Sequence, residues 1–125
     1  MITALPDSIA FIERDWLSAN HIMFHDGDAA TLVDSGYGKF NDVTIEHVER
    51  TLDGWGGASL NRIINTHIHN DHIGGNVALQ RIQRGCSIAV PAEEQQALVN
   101  WDAPPQMLSY ADQEAERFAW DEVIE

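Results

Sequence analysis

Apolar and polar residues alternate along the first third of this 125-residue chain. Ile9 and Phe11 stand two apart within Ser8 to Glu13, and Ile22 and Phe24 repeat the spacing within Asn20 to His25. That is the period of half-buried strands. Asp26-Gly27-Asp28 then offers hairpin chemistry, with Ala29 to Asp34 as the returning strand. The period lengthens next: from Asn41 to Asp53 a helix is predicted, its apolar stripe made by Phe40, Val48, Leu52 and Trp55 and its boundary by His47. Asn41 is its expected N-cap and Gly54 its stop. Leu60 to Asn65 reads as a short buried strand. Asn76 to Arg84 carries Val77, Ala78 and Ile82 at helical spacing before Gly85, and Cys86 to Val90 reads as another buried strand. Pro91 suits the first turn of a further helix, with Glu93 and Glu94 against its dipole and Ala97, Leu98 and Trp101 inward, until Asp102-Ala103-Pro104-Pro105 breaks it. Strands alternating with helices predict an α/β fold with no internal repeat.

Between the Leu60 strand and the Asn76 helix lies Thr66-His67-Ile68-His69-Asn70-Asp71-His72-Ile73-Gly74-Gly75. Three imidazoles and a carboxylate within six positions suit Zn²⁺ and related divalent metals. On a helix, residues two apart point to nearly opposite sides, so His67 and His69 could not share an ion there; on an extended segment they face the same way. A solvated polar turn that happens to be rich in histidine is the alternative, and the density of the cluster argues against it. A loop leaving a strand for a helix is also where α/β proteins hold ligands.

The ten residues match the T-H-x-H-x-D-H-x-G-G signature, and the chain here resembles the metallo-β-lactamase superfamily of metallohydrolases. Thr31-Leu32-Val33-Asp34-Ser35-Gly36 is similar to the apolar strand ending in Asp-x-Gly that precedes the metal loop in that family. Together the two anchor residues 9 to 85. The resemblance implies a four-layer αββα sandwich, of which this chain would be the N-terminal half. It implies His67 and His69 as ligands of a first metal, and Asp71 and His72 as ligands of a second. Asp71 would also orient the attacking water, while Asp34 and Thr66 would brace the ligands from behind. The expected cofactor is one or two divalent ions, zinc first, with iron or manganese as alternatives. Such a metal lowers the pKa of bound water and polarises the carbonyl or phosphoryl oxygen under attack.

The chain also departs from the family. The family completes its sites with a histidine well downstream, usually in a Gly-His step, then a bridging aspartate and a last histidine. No histidine follows His72 here; His21, His25 and His47 all precede the motif. Cys86 reads as a small core residue, and His21 and His25 as surface or hairpin residues. The ending from Phe118 to Glu125 resembles a strand being entered. A longer protein cut short, or a second chain completing the sandwich, is the expectation. On either account an apolar sheet face would lie exposed, predicting self-association and little turnover by this chain alone.

Charge narrows the partners. Seven basic against twenty acidic residues give a formal −13, and from Trp101 onward seven acids face one base. Such a chain repels phosphate backbones, so nucleic acid is excluded as the expected substrate in favour of a small molecule. No stretch is long and apolar enough to span a membrane, and Met1 to Ala10 lacks a secretory pattern, leaving the cytoplasm as the default compartment. One cysteine excludes an intramolecular disulfide. Four scattered tryptophans (Trp16, Trp55, Trp101, Trp120) read as packing rather than a ligand platform, Trp16 the least clearly.

Two functions remain open. One is a metal-dependent hydrolase, or its N-terminal fragment, acting on a small ester, thioester, lactone or lactam. The other is a catalytically silent metal-binding or interaction module that kept the loop without its downstream ligands.

Overall fold

A computed structural model describes residues 5–14, 18–99 and 117–125. Six strands form one mixed sheet in sequential order: β1 (Ile9–Ile12), β2 (His21–Asp26), β3 (Ala29–Val33), β4 (Ser59–Ile64), β5 (Ser87–Pro91) and β6 (Glu122–Ile124). The first two pairings are antiparallel and the remaining three parallel. The β2–β3 turn is as short as Asp-Gly chemistry allows: Asp26 pairs with Ala29, and Gly27 takes φ +62°. Helix α1 (Asn41–Gly54) links β3 to β4; α2 (Asn70–Ile73) and α3 (Asn76–Ile82) link β4 to β5; α4 (Gln95–Val99) follows β5.

The strand pairings sort the side chains into two faces. Ala10, Met23 and Leu32 line up across β1, β2 and β3 and continue into Ile63 and Ile88 on β4 and β5. With Val48 and Leu52 of α1, Ile73, Leu79 of α3 and Leu98 of α4 they make the single core. A register shift between Ala30 and Thr31 lets β4 bury both Leu60 and Ile63, which a regular strand would place on opposite faces. The other face carries Ile9 paired with Phe24 and Phe11 paired with Ile22. These four are 37, 40, 54 and 43 % exposed respectively. The alternation read from the sequence is therefore real, but those apolar residues form the outer face, while Ala10, Ile12, His21 and Met23 turn inward.

Several local expectations are corrected. Phe40 is 43 % exposed, and Thr44 takes its place beside Val48 and Leu52 as the inward residue of α1. Phe40, not Asn41, occupies the N-cap position, with no side-chain cap bond. Pro91 ends β5 with extended backbone instead of starting a helix; a 3₁₀ turn (Ala92–Glu94) intervenes before α4. Cys86 is buried ahead of its strand. His21, expected at the surface, is wholly buried. Trp55 and Trp120 pack against the core; Trp16 and Trp101 lie outside the described residues. Trp55 stacks on His25 at 4.3 Å and donates its indole N–H to the Asp7 carbonyl at 2.8 Å, tying the β1–β2 edge to the end of α1.

Four large apolar side chains grouped on one face are a feature that favours association in general. The 125-residue protein is expected to show concentration-dependent sedimentation. Replacing Phe11 and Phe24 together by Ser should lower its average mass without loss of helical signal; an unchanged distribution would show that this face is not involved.

Candidate metal centre

Two neighbouring parallel strands deliver the site. β3 ends at Val33 and β4 at Ile64, so Asp34 and the segment from Asn65 to His72 emerge side by side at the carboxyl edge of the sheet. Asp34 sits in the left-handed region at φ 61°, the sole described non-glycine residue with positive φ. That conformation is tolerated better by Asp and Asn than by most residues, but it still costs energy. It is offset by what the carboxylate receives. The Thr66 amide donates to Oδ1 at 2.8 Å, the Thr66 hydroxyl to Oδ2 at 2.7 Å, and Nδ1 of His72 lies 2.8 Å from Oδ2.

These bonds set the imidazoles. With its Nδ1 proton engaged by Asp34, His72 leaves Nε2 as the nitrogen with a free lone pair. The Thr66 hydroxyl has given its proton to Asp34, so His67 Nδ1, 3.0 Å away, is the donor to Thr66 Oγ1. His67 Nε2 is thereby left as an acceptor. The His67 ring lies 3.9 Å from that of His72 and 4.6 Å from that of His69. The Asp71 carboxylate is 3.6 Å from His72 Nε2, close enough for charge attraction but too long for a hydrogen bond.

The charges follow this crowding. Burial first, then repulsion from His72 and His69, holds His67 below the usual histidine range, the direction that favours the neutral ring. For His72, burial also favours the neutral form. The Asp34 hydrogen bond, the Asp34 charge and the Asp71 charge together outweigh it and raise the group above its ordinary value.

A buried polar knot beneath the loop went unread in the sequence. The Ser35 hydroxyl reaches Asn76 Oδ1 at 2.6 Å, and Asn76 Nδ2 donates to Asn65 Oδ1 at 2.8 Å. The Ser35 amide donates to the His72 carbonyl at 2.7 Å, and the Gly75 amide to Ser35 Oγ at 3.1 Å. The only hint was that small amides and hydroxyls stand at 35, 65 and 76 where core residues would. Gly74 and Gly75 are required by contact with this layer: a Cβ on Gly74 would collide with the Gly38 amide nitrogen and lie 2.7 Å from the Gly36 carbonyl oxygen, and one on Gly75 would collide with the Ser35 carbonyl oxygen. Asn70 is 1 % exposed, and neither end of its amide finds a partner among the described residues.

A second buried arrangement lies behind Asp34. His21 Nδ1 is 2.7 Å from the Asp34 carbonyl oxygen, and its Nε2 is 2.7 Å from Nη1 of Arg14. Burial, and next the Arg14 charge, depress His21 to about 4 against the opposing pull of Asp34.

A family model for the metallo-beta-lactamase superfamily matches residues 14–124. The chain belongs to the metallo-beta-lactamase superfamily. Solved structures agree on the fold. A subclass B3 metallo-beta-lactamase of Bradyrhizobium japonicum superposes with a TM-score of 0.74 at 17 % identity, over 98 % of this chain and 44 % of that one. The native metallo-beta-lactamase of Legionella gormanii gives 0.69 at 13 %, over 94 % and 43 %. One from Cronobacter sakazakii gives 0.69 at 15 %, over 98 % and 47 %. This chain thus spans under half the length of these relatives. A search among curated proteins finds no significant match.

Superfamily membership makes a divalent ion the group to weigh at this loop. Its donors fit a divalent ion in kind: imidazoles, one oriented by a carboxylate, with Asp71 alongside. They do not yet fit in arrangement. Among the described residues no three His, Cys, Asp or Glu side chains are set around one ion position.

Two outcomes follow. Asp34→Ala should lower unfolding free energy by roughly 3 kcal/mol, because three donors lose their acceptor. Asp34→Gly should be milder by about 1 kcal/mol, since it relieves the left-handed backbone. Equal losses in urea titrations would show that φ carries none of the cost. For His21 the folded state resists protonation between pH 6.5 and about 4 while the unfolded chain does not. Its contribution is therefore complete above pH 6.5 and is lost as pH falls toward 4, by roughly 3 kcal/mol. His21→Asn should flatten that part of the stability–pH curve; a variant curve parallel to the parent would remove His21 from it.

Proposed function

We propose that this chain carries the metal-loop half of a hydrolase acting on a small ester, thioester, lactone or lactam. What supports the reading most, beside superfamily membership, is the Asp34–His72 bond at 2.8 Å, which holds an imidazole in the tautomer a metal needs, at the carboxyl strand edge where α/β proteins hold ligands. His67, His69 and His72 would hold the metal with Asp71, and a bound divalent ion would supply an activated water and a Lewis acid. Asp71, its carboxylate beside His72, would orient the water toward the substrate. Asp34 and Thr66 keep the histidines from turning away. The formal charge of −13 favours substrates that are neutral or weakly charged. Fold likeness at 13–17 % identity does not choose among the acyl substrates.

A second reading, a metal-binding or interaction module without turnover, is favoured by one observation: the described donors do not close around an ion. Elemental analysis separates the two. One or two zinc, iron or manganese ions per chain, lost in His67→Ala together with hydrolysis of an acyl ester or thioester, are expected for the enzyme. Metal bound and lost in the same way with no hydrolysis would establish the module. Metal content unchanged in His67→Ala would overturn the site assignment itself.

A further inference from the structure

We propose that His21 is a positioning residue for the metal loop: carrying its proton on Nδ1, it holds the Asp34 carbonyl and so fixes the left-handed turn that aims the Asp34 carboxylate at Thr66 and His72. Its purpose rests on the metal-loop reading, but the geometry is testable without any metal.

The tautomer follows from chemistry. A guanidinium donates only and stays charged. At 2.7 Å from Arg14 Nη1, His21 Nε2 must therefore accept. The ring proton is left on Nδ1, 2.7 Å from the Asp34 carbonyl oxygen, which can only accept. Arg14 Nη1 has a second hydrogen, and Thr44 Oγ1 lies 2.6 Å from it; Thr44 in turn donates to the Phe40 carbonyl at 3.3 Å. Both Nη1 hydrogens of Arg14, the His21 Nδ1 proton and the Thr44 hydroxyl proton each have an acceptor. It runs from α1 through Arg14 and His21 to the backbone of Asp34, and from the Asp34 carboxylate to His72. Such a matched, largely buried chain fixes one arrangement of its members.

Packing makes the same connection. Gly36, two residues past Asp34, lies so close that a Cβ there would meet His21 Cε1 at 3.0 Å and Arg14 Nη1 at 3.2 Å. The Ser18 hydroxyl accepts the Tyr37 amide at 3.2 Å, and the Ala19 amide donates to the Asp71 carbonyl at 2.9 Å. The stretch leading into β2 thus touches both the turn that follows Asp34 and the metal loop at Asp71. Arg14, Asp34, Thr44 and His47 are the polar groups around His21, and their balance with burial keeps the ring neutral at neutral pH.

A histidine that merely fills space would be replaceable by Leu. The test uses the metal-free 125-residue protein. Nitrogen-15 NMR should show His21 protonated on Nδ1; a proton on Nε2 overturns the proposal. Hydrogen exchange should then quicken about tenfold at the Thr66 amide in His21→Leu, the loss of one buried bond, with no matching change at Ile63 in the sheet. His21→Asn, whose amide can donate in place of Nδ1, should restore most of the protection. Equal acceleration at both amides, none at either, or no rescue by Asn would overturn it. Should His21→Leu not fold, Arg14→Met supplies the contrast: with Nε2 released, part of the ring population should shift its proton there and Thr66 should exchange faster than in the parent.

Discussion

The Asp34 carboxylate binds together the end of one strand, the start of the metal loop and the ring of a histidine six residues into that loop. Everything around it is arranged to keep this short side chain pointing sideways off β3. An extended residue there would send its side chain to one sheet face or the other. The left-handed turn at φ 61° sends it along the carboxyl edge instead, toward the neighbouring strand. The parallel pairing of Val33 with Ile64 puts Thr66 within reach, so sheet register and loop geometry are one constraint. The glycines complete it, because only residues without Cβ let the loop close down on Ser35, Gly36 and Gly38.

Much of this was legible because it depends on local pattern. Alternation and helical spacing located β1 to β4, α1 and α3 within a residue or two, and the motif residues could be named because their spacing is itself chemistry. Less legible was which face of a strand is buried. Ile9, Phe11, Ile22 and Phe24 look like core by hydrophobicity, and only the helices packed on the opposite face show that they lie outside. Likewise Ser35, Asn65 and Asn76 look like ordinary loop polars. They are buried because each satisfies the others, a property of three separated positions that no window of sequence contains. His21 failed for the same reason: its partners Arg14 and Asp34 lie 7 and 13 residues away.

The two sheet faces have different work. One is closed by α1, α3 and α4 and supplies the core that supports Asp34 and the β4 edge. The other presents apolar side chains, in a protein whose solved relatives are more than twice as long as the portion this chain matches. A strongly acidic surface opposes close approach of two such chains through long-range repulsion, whereas apolar contact acts only at short range. Added salt weakens the first without weakening the second, so the balance on that face is set by ionic conditions as well as by shape.

Within the loop, order is unevenly distributed. Thr66 and His72 are fixed by Asp34, and His67 is fixed through Thr66. The His69 side chain is tied among the described residues only by its ring contact with His67. Binding a metal requires donors to surrender rotamer freedom, and for long side chains that cost is paid at each binding event unless the fold has met it already. Here it is met for the imidazoles next to Asp34 by bonds that need no ion. The energy for holding them comes from the sheet, through a strained residue whose carbonyl is clamped by a buried neutral histidine. A charged His21 would turn a second donor on Arg14 and lose that partner, while Nδ1 would still donate to the Asp34 carbonyl. The neutral ring is therefore a condition of the Arg14 bond, which joins α1 to this clamp, as well as a result of burial.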